Sequence, residues 1–362
     1  MDKQEKDFDA APSELLIPTE DITPPAAGVV RTPSPEIEGI REAPRSLSPF
    51  QESLKRLKRD KRAIICVGTF LFLIVLAIVG PPIYQRIGGI YPSDLEGPIG
   101  PGVYHQYYHQ ELSQQDQLPS ARYWLGTDDV GRDILARLMQ GLLISLAVAF
   151  LVEVVDVGLG LLVGLLAGFY GGWVDQFLAR FTDLMFAFPS LLFSILLVGV
   201  FGSSANAFFS KIPIFGDSGN ARLLVVSGAL AFTTWPLMAR YVRGQTLQLR
   251  EQQFIEAARA SGTSDFRVIT RHILPNLFSI VFIASTLNIA STIIGEAGIS
   301  LLGLGVTDPG SSLGLMISEA LPLTDSNPWE VLVPTIILTI IVLAVSFLGD
   351  SLRDAFDPRS RR

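Results

Sequence analysis

Few residues in this chain of 362 have the chemistry of a site, and most of those lie in or beside apolar runs. His105 and His109, in YHQYYHQ, stand four apart, a separation that puts two imidazoles on one helix face and suits a metal ion. No carboxylate pattern accompanies them, so a polar, tyrosine-rich external loop is the plainer reading. Glu153 and Asp156 stand three apart inside a long apolar run, where ionised groups are costly unless they are paired or wetted. A third cluster lies in EQQFIEAARASGTSDFRVITRHILPN, from Glu251 to Asn276. Phe254, Ile255 and Ala258 share a helical face there, and Phe266, Ile269 and Ile273 resume the spacing after Gly262. The pattern predicts helix, tight turn, helix, with Gly262 at the C′ position of the first helix and Ser264 or Asp265 capping the second. Pro275 then opens an apolar run where its missing N–H costs little.

Other chemistry is excluded. None of the six lysines follows a glycine, so the chain lacks the Gly-Lys pair of a phosphate-cradling loop. Its three histidines and single cysteine, Cys66, make no nucleophilic or zinc-catalytic set. Cys66 lies in an apolar run and reads as a small buried hydrophobe.

The elements that position these residues are apolar. The sequence is 49% hydrophobic and 17% charged, with a mean hydropathy of +0.40. Runs long enough to cross about 30 Å of hydrocarbon occur at 63–84, 142–170, 184–201, 223–241, 277–302 and 331–348. The expected fold is therefore all-α and polytopic, with about six spans. Gly158, Gly160, Gly164 and Gly168 recur in the second run and predict close helix packing. Asp183 and Pro189 mark an interfacial anchor and a kink or boundary near the third.

Residues 1–50 are acidic and proline-rich and predict a disordered tail without a cleavable leader. A basic flank at 51–62 precedes the first helix at 63–84, and 85–141 reads as an external loop and lead-in. Within that lead-in Arg132 and Asp133, after Asp128 and Asp129, are expected to cap and anchor the second span. The core follows at 142–350 and a short tail at 351–362. The net charge of −7 misleads, because placement decides orientation. Arginines between the fourth and fifth runs, and Arg359, Arg361 and Arg362 at the end, argue that both termini are cytoplasmic. Residues 303–330 contain Asp308, Glu319, Asp325 and Glu330 but no Lys or Arg, which suits the outside.

Glu256, Ala257, Ala258, Gly262, Leu274 and Pro275 together resemble the EAA motif of binding-protein-dependent ABC importer permeases. WLGTDDVGRDILARLMQGLLISL from Trp124, GFYGGWVDQFLARFTDLMFAFPSLL from Gly168, GEAGISLLGLGV from Gly295 and FLGDSLRDAFDPR from Phe347 resemble the C-type subunits of the oligopeptide/dipeptide branch. The resemblance implies the type I importer permease fold and a coupling loop at 251–275 that docks on an ATPase subunit. It also implies a second homologous permease chain, two ABC ATPases that use ATP and Mg, an extracytoplasmic solute-binding protein, and no nucleic acid. The implied cargo is a dipeptide or oligopeptide, with nickel, glutathione or oligosaccharide as alternatives in the same machinery. Glu153 and Asp156 depart from the mostly apolar pattern there. They are expected to line the path, where they could bind a cationic peptide amine, or to pair at a subunit interface. Leu313 stands where the subfamily commonly carries a tryptophan. A stand-alone carrier or channel is the other class, and an inverted repeat that would favour it is not evident. A membrane enzyme lacks a catalytic set.

Overall fold

The computed structural model of the chain describes residues 55–88, 105–209 and 220–356. The acidic tail, residues 51–54 of the basic flank, and Arg359, Arg361 and Arg362 lie outside the described residues. Those described are helical with connecting loops and contain no strand, only an isolated bridge between Thr127 and Asp133.

Apolar length makes the spans. The helices are α1 (Lys61–Gly88), α2 (Ile134–Tyr170), α3 (Gly172–Phe186), α4 (Ser190–Phe209), α5 (Asn220–Arg250), α6 (Gln253–Ala260), α7 (Asp265–Val268), α8 (Leu274–Leu301), α9 (Leu313–Ala320) and α10 (Pro328–Phe356). Among the described residues, five stretches are long and apolar enough to cross a membrane: α1, α2, α5, the segment from Asp265 to Leu301, and α10. The run expected to cross at 184–201 is not one straight helix. It is divided between α3 and α4, which bend by 79° across Ala187–Pro189 and count as a sixth span only together. Pro189 forces this break, because a proline disfavours helical geometry in the residue before it and has no N–H to donate.

Small residues bring α2 onto α5. A Cβ added to Gly160, Gly164 or Gly168 would lie 2.6 Å from the Cβ of Met238, Val242 or Thr246 respectively. Four-residue spacing puts these three glycines on one stripe of the helix. Gly158 does not belong to it: half a turn away, it has nothing within 4 Å. One buried cluster joins α1, α2, α8, α9 and α10 through Leu73, Leu138, Leu142, Ile293, Leu313 and Ile341. Leu313, fully buried, fills that position with an aliphatic side chain in place of the expected aromatic. The apolar side chains of α1 that remain exposed, among them Ile65, Phe72 and Ile78, suit lipid.

Two features were not expected. Residues 303–330 are not a plain loop, because α9 folds back and buries Leu313, Met316 and Ile317. The helix of the fourth span continues to Arg250, so Arg240 and Arg243 are helical rather than in a loop.

Candidate functional site

The bend after α5 is built from beneath. Ile255 and Val268 are fully buried in a cluster with Phe169, Val242, Ile273 and Leu277, which fixes α6 and α7 to the ends of α2, α5 and α8. The Arg250 side chain donates to the Phe169 carbonyl at 3.2 Å, and Arg259 lies 4.8 Å from the centre of the Phe169 ring. α6 closes with a Schellman turn. The Gly262 N–H donates to the Arg259 carbonyl at 2.9 Å and the Thr263 N–H to that of Ala258 at 3.1 Å. Gly262 has φ of +77°, which glycine adopts without a Cβ penalty. Ser264 takes the N-cap position of α7 without a capping bond from its side chain, and a single π turn, Ile269–Ile273, carries the helix into α8. Pro275 lies in the first turn of α8.

The outward surface is apolar with one acid. Glu256 and Ala257 are exposed, and Ala258 is half-buried. Phe254 is 46% exposed and Phe266 76% exposed. Phe254 was expected to share a helical face with Ile255 and Ala258, and Phe266 to follow the spacing of Ile269 and Ile273. Ile255, Val268 and Ile273 are fully buried, and both phenylalanines face outward. Leu274 is half-buried and Pro275 exposed.

Midway along the bundle a cavity of about 500 Å³ opens between α5, α8 and neighbouring helices, lined by Thr234, Leu237, Ile283, Leu287 and Asn288 among others. Glu153 and Asp156 stand behind its wall, 9% and 0% exposed. The Asn288 amide nitrogen donates to Glu153 Oε2 at 3.0 Å and to Asp156 Oδ2 at 2.6 Å. The two carboxylates are therefore joined within this chain through Asn288, a residue that the sequence did not single out.

The opposite end of the bundle carries an ion network. Asp128 accepts from Arg132 Nε at 2.7 Å and from Arg137 Nη1 at 2.6 Å. Both arginines also donate to Glu319, at 3.0 and 2.7 Å, and Arg132 reaches Asp308 at 2.7 Å. This ties the start of α2 to α9 and the loop before it. Asp133 caps α2, accepting from the N–H groups of Leu135 and Ala136. Beside the network, partial loss of water and then the Asp128 charge hold the Asp129 carboxyl above its ordinary range. Arg243 reaches Asp175 through two nitrogens, at 2.5 and 2.8 Å, and Arg240 reaches Asp183 at 2.7 Å, anchoring α3 on α5.

Residues 160–362 match the family model described as binding-protein-dependent transport system inner membrane component. Residues 48–119 match the N-terminal TM domain of oligopeptide transport permease C. The dipeptide transport system permease protein DppC of Alkalihalophilus pseudofirmus is 33% identical over 91% of this chain and 96% of its own. The oligopeptide transport system permease protein OppC of Mycobacterium tuberculosis is 32% identical over 85% of this chain and 94% of its own. The chain belongs to the binding-protein-dependent transport permease family. A chain from an inward-facing MetNI methionine ABC transporter aligns at a TM-score of 0.46 and 19% identity, covering 60% of the permease and 96% of that chain.

The permease is thus a multi-pass membrane protein. Its histidine pair is not on a helix face. Residues 105–109 form a short turn, and the His105 ring, buried, makes a 2.6 Å hydrogen bond with Asp133 Oδ2, which also accepts from the Tyr84 hydroxyl at 2.9 Å. His105 therefore buttresses the α2 cap. No group of three potential metal ligands occurs among the described residues. Asn288 was missed because a lone asparagine in an apolar run has no partner visible in sequence. The only signal was the pair of acids in another span that needed a donor.

Proposed function

We propose that the permease is one of two membrane subunits of an ATP-driven importer of dipeptides or oligopeptides, worked by ATPase subunits that dock on residues 251–275. ATP and Mg belong to those partners, and an extracytoplasmic binding protein delivers the cargo to a path shared with a second, homologous permease chain. The observation that carries the reading is the construction of the bend. Its underside is fully buried by Ile255 and Val268, whereas Phe254, Glu256, Ala257 and Phe266 face outward, exposed among the described residues. An exposed apolar knob rimmed by a carboxylate suits a protein partner that offers a groove and an arginine. Peptide as cargo is supported by the names of the relatives that match over most of the chain.

The orientation proposed puts the bend and both termini in the cytoplasm, following Arg250, Arg259, Arg267 and Arg271 at the bend and the basic residues before α1. Uptake of a labelled dipeptide by the reconstituted importer tests the coupling. Glu256→Lys combined with Gly262→Val should reduce ATP-dependent uptake to background while the protein still inserts. The valine adds backbone strain rather than a clash, since no atom lies within 4 Å of a Cβ at Gly262. Normal uptake in that double variant would refute the reading. A cysteine at Phe266 should react with a membrane-impermeant maleimide only from the inner side, and labelling from outside would reverse the topology.

A further inference from the structure

A half-buried amide whose two N–H groups are committed can offer a ligand only its oxygen. The Asn288 nitrogen lies within 3.0 Å of Glu153 Oε2 and 2.6 Å of Asp156 Oδ2, and carboxylates accept rather than donate, so the amide must face them with its NH₂. With the nitrogen turned to the acids, the carbonyl oxygen is the polar atom that Asn288 has left to offer the cavity it lines. Behind it, the Ser285 and Thr234 side chains also hydrogen-bond Glu153 and Asp156 respectively. One oxygen of each acid, Glu153 Oε1 and Asp156 Oδ1, is buried without a hydrogen bond, and both residues are at least nine-tenths buried. Asn288 lies half-way along α8, where hydrocarbon or an apolar neighbour would leave this oxygen and the acids behind it unsatisfied. An amide oxygen backed by two acids suits a positively charged donor.

We propose that Asn288, held by Glu153 and Asp156, is a cargo-selecting site that receives the terminal ammonium of a peptide as it passes through the permease. An ammonium donates to the amide oxygen and is attracted by the acids behind it, and apolar Leu237, Ile283 and Leu287 accommodate cargo side chains without choosing among them. Arg353 lines the far end of the same cavity, where a cargo carboxylate is complementary. Gly349 packs on Thr286, so Arg353, one turn further along α10, lies about 9 Å from Asn288 along the bundle, roughly the reach of three extended residues.

This inference rests on peptide import, and the test separates the two. The whole importer in proteoliposomes is given a free-amine tripeptide and its N-acetylated counterpart with the same binding protein. ATP-dependent uptake of neither peptide by the unmodified importer would refute peptide import itself. Given uptake, Asn288→Leu should lower the preference for the free amine over the acetylated peptide at least about tenfold, equivalent to about 1.4 kcal/mol. Glu153→Gln with Asp156→Asn keeps the shape and removes the charge, and should lower the same preference in a complex that still co-purifies with its ATPase. An unchanged preference in either set, or an equal fall for both peptides, would overturn the assignment.

Discussion

Replacing Gly164 by alanine is the sharpest test of how the bundle holds together. An added Cβ would lie 2.6 Å from Val242 Cβ and 2.7 Å from the Ala239 carbonyl oxygen, where ordinary contacts begin at 3.4 Å. The oxygen is backbone and cannot swing aside, so α2 and α5 must part by about 1 Å. A radial gap of that order forfeits up to about half of the attraction between each pair of contacting atoms. Overpacking of this kind costs about 1–3 kcal/mol, against a gain of up to about 1 kcal/mol from replacing a helical glycine. Gly158→Ala gains the second term alone, since nothing lies within 4 Å of its added carbon. The two substitutions are chemically identical, six residues apart, and should have opposite signs, with a difference of about 2 kcal/mol. Cys66 supplies the assay: it is the chain's one cysteine and is buried, so a thiol-reactive dye reports unfolding of the detergent-purified protein on heating. Gly164→Ala should lower the midpoint and Gly158→Ala should leave it level or raise it. Equal midpoints would refute the account of the α2–α5 contact.

Two further outcomes are expected at the other end of the bundle. Arg137→Met removes a buried guanidinium from Asp128 and Glu319, and breaking such a pair costs about 3–5 kcal/mol. The same dye assay should show a large fall in the midpoint, and a change below about 1 kcal/mol would mean that Arg132 alone holds the acids. Asp129 behaves in the opposite sense. Its folded-state pKa is raised, so the folded protein holds the proton more tightly, and wild-type stability falls as pH rises from the ordinary carboxylate range through the higher folded value. Asp129→Asn should therefore be the more stable protein at neutral pH, with the gap closing on acidification into the ordinary carboxylate range. A gap independent of pH would show that the carboxyl is not perturbed.

Much of the fold was legible because lipid leaves few choices. Apolar length located five spans, glycine spacing pointed to Gly160, Gly164 and Gly168 but also to Gly158, which packs on nothing, and Gly262 announced its turn because positive φ has few other occupants. Asp133 was readable as a cap from its place before an apolar run. The features that stayed hidden depend on pairing at a distance. Arg137 and Glu319 are 182 residues apart, and neither has a periodicity that points to the other. The return of α9 was obscured because a stretch without Lys or Arg resembles an external loop whether or not it folds back. Phe254 faces outward beside a buried Ile255, and which of two neighbouring apolar residues turns to the protein is not specified by their spacing. Asn288 became meaningful only when α2 and α8 were brought side by side.

From Asp265 to Leu301 the backbone runs without a hinge, through a single π turn and into the membrane. A stiff rod cannot be twisted at one end alone. If a docked partner rolls the exposed end at Phe266 about the rod's axis, the carbonyl at Asn288 swings through the same arc and draws away from the acids that orient it. Grip on a cargo amine and the stroke that releases it would then be two positions of one crankshaft.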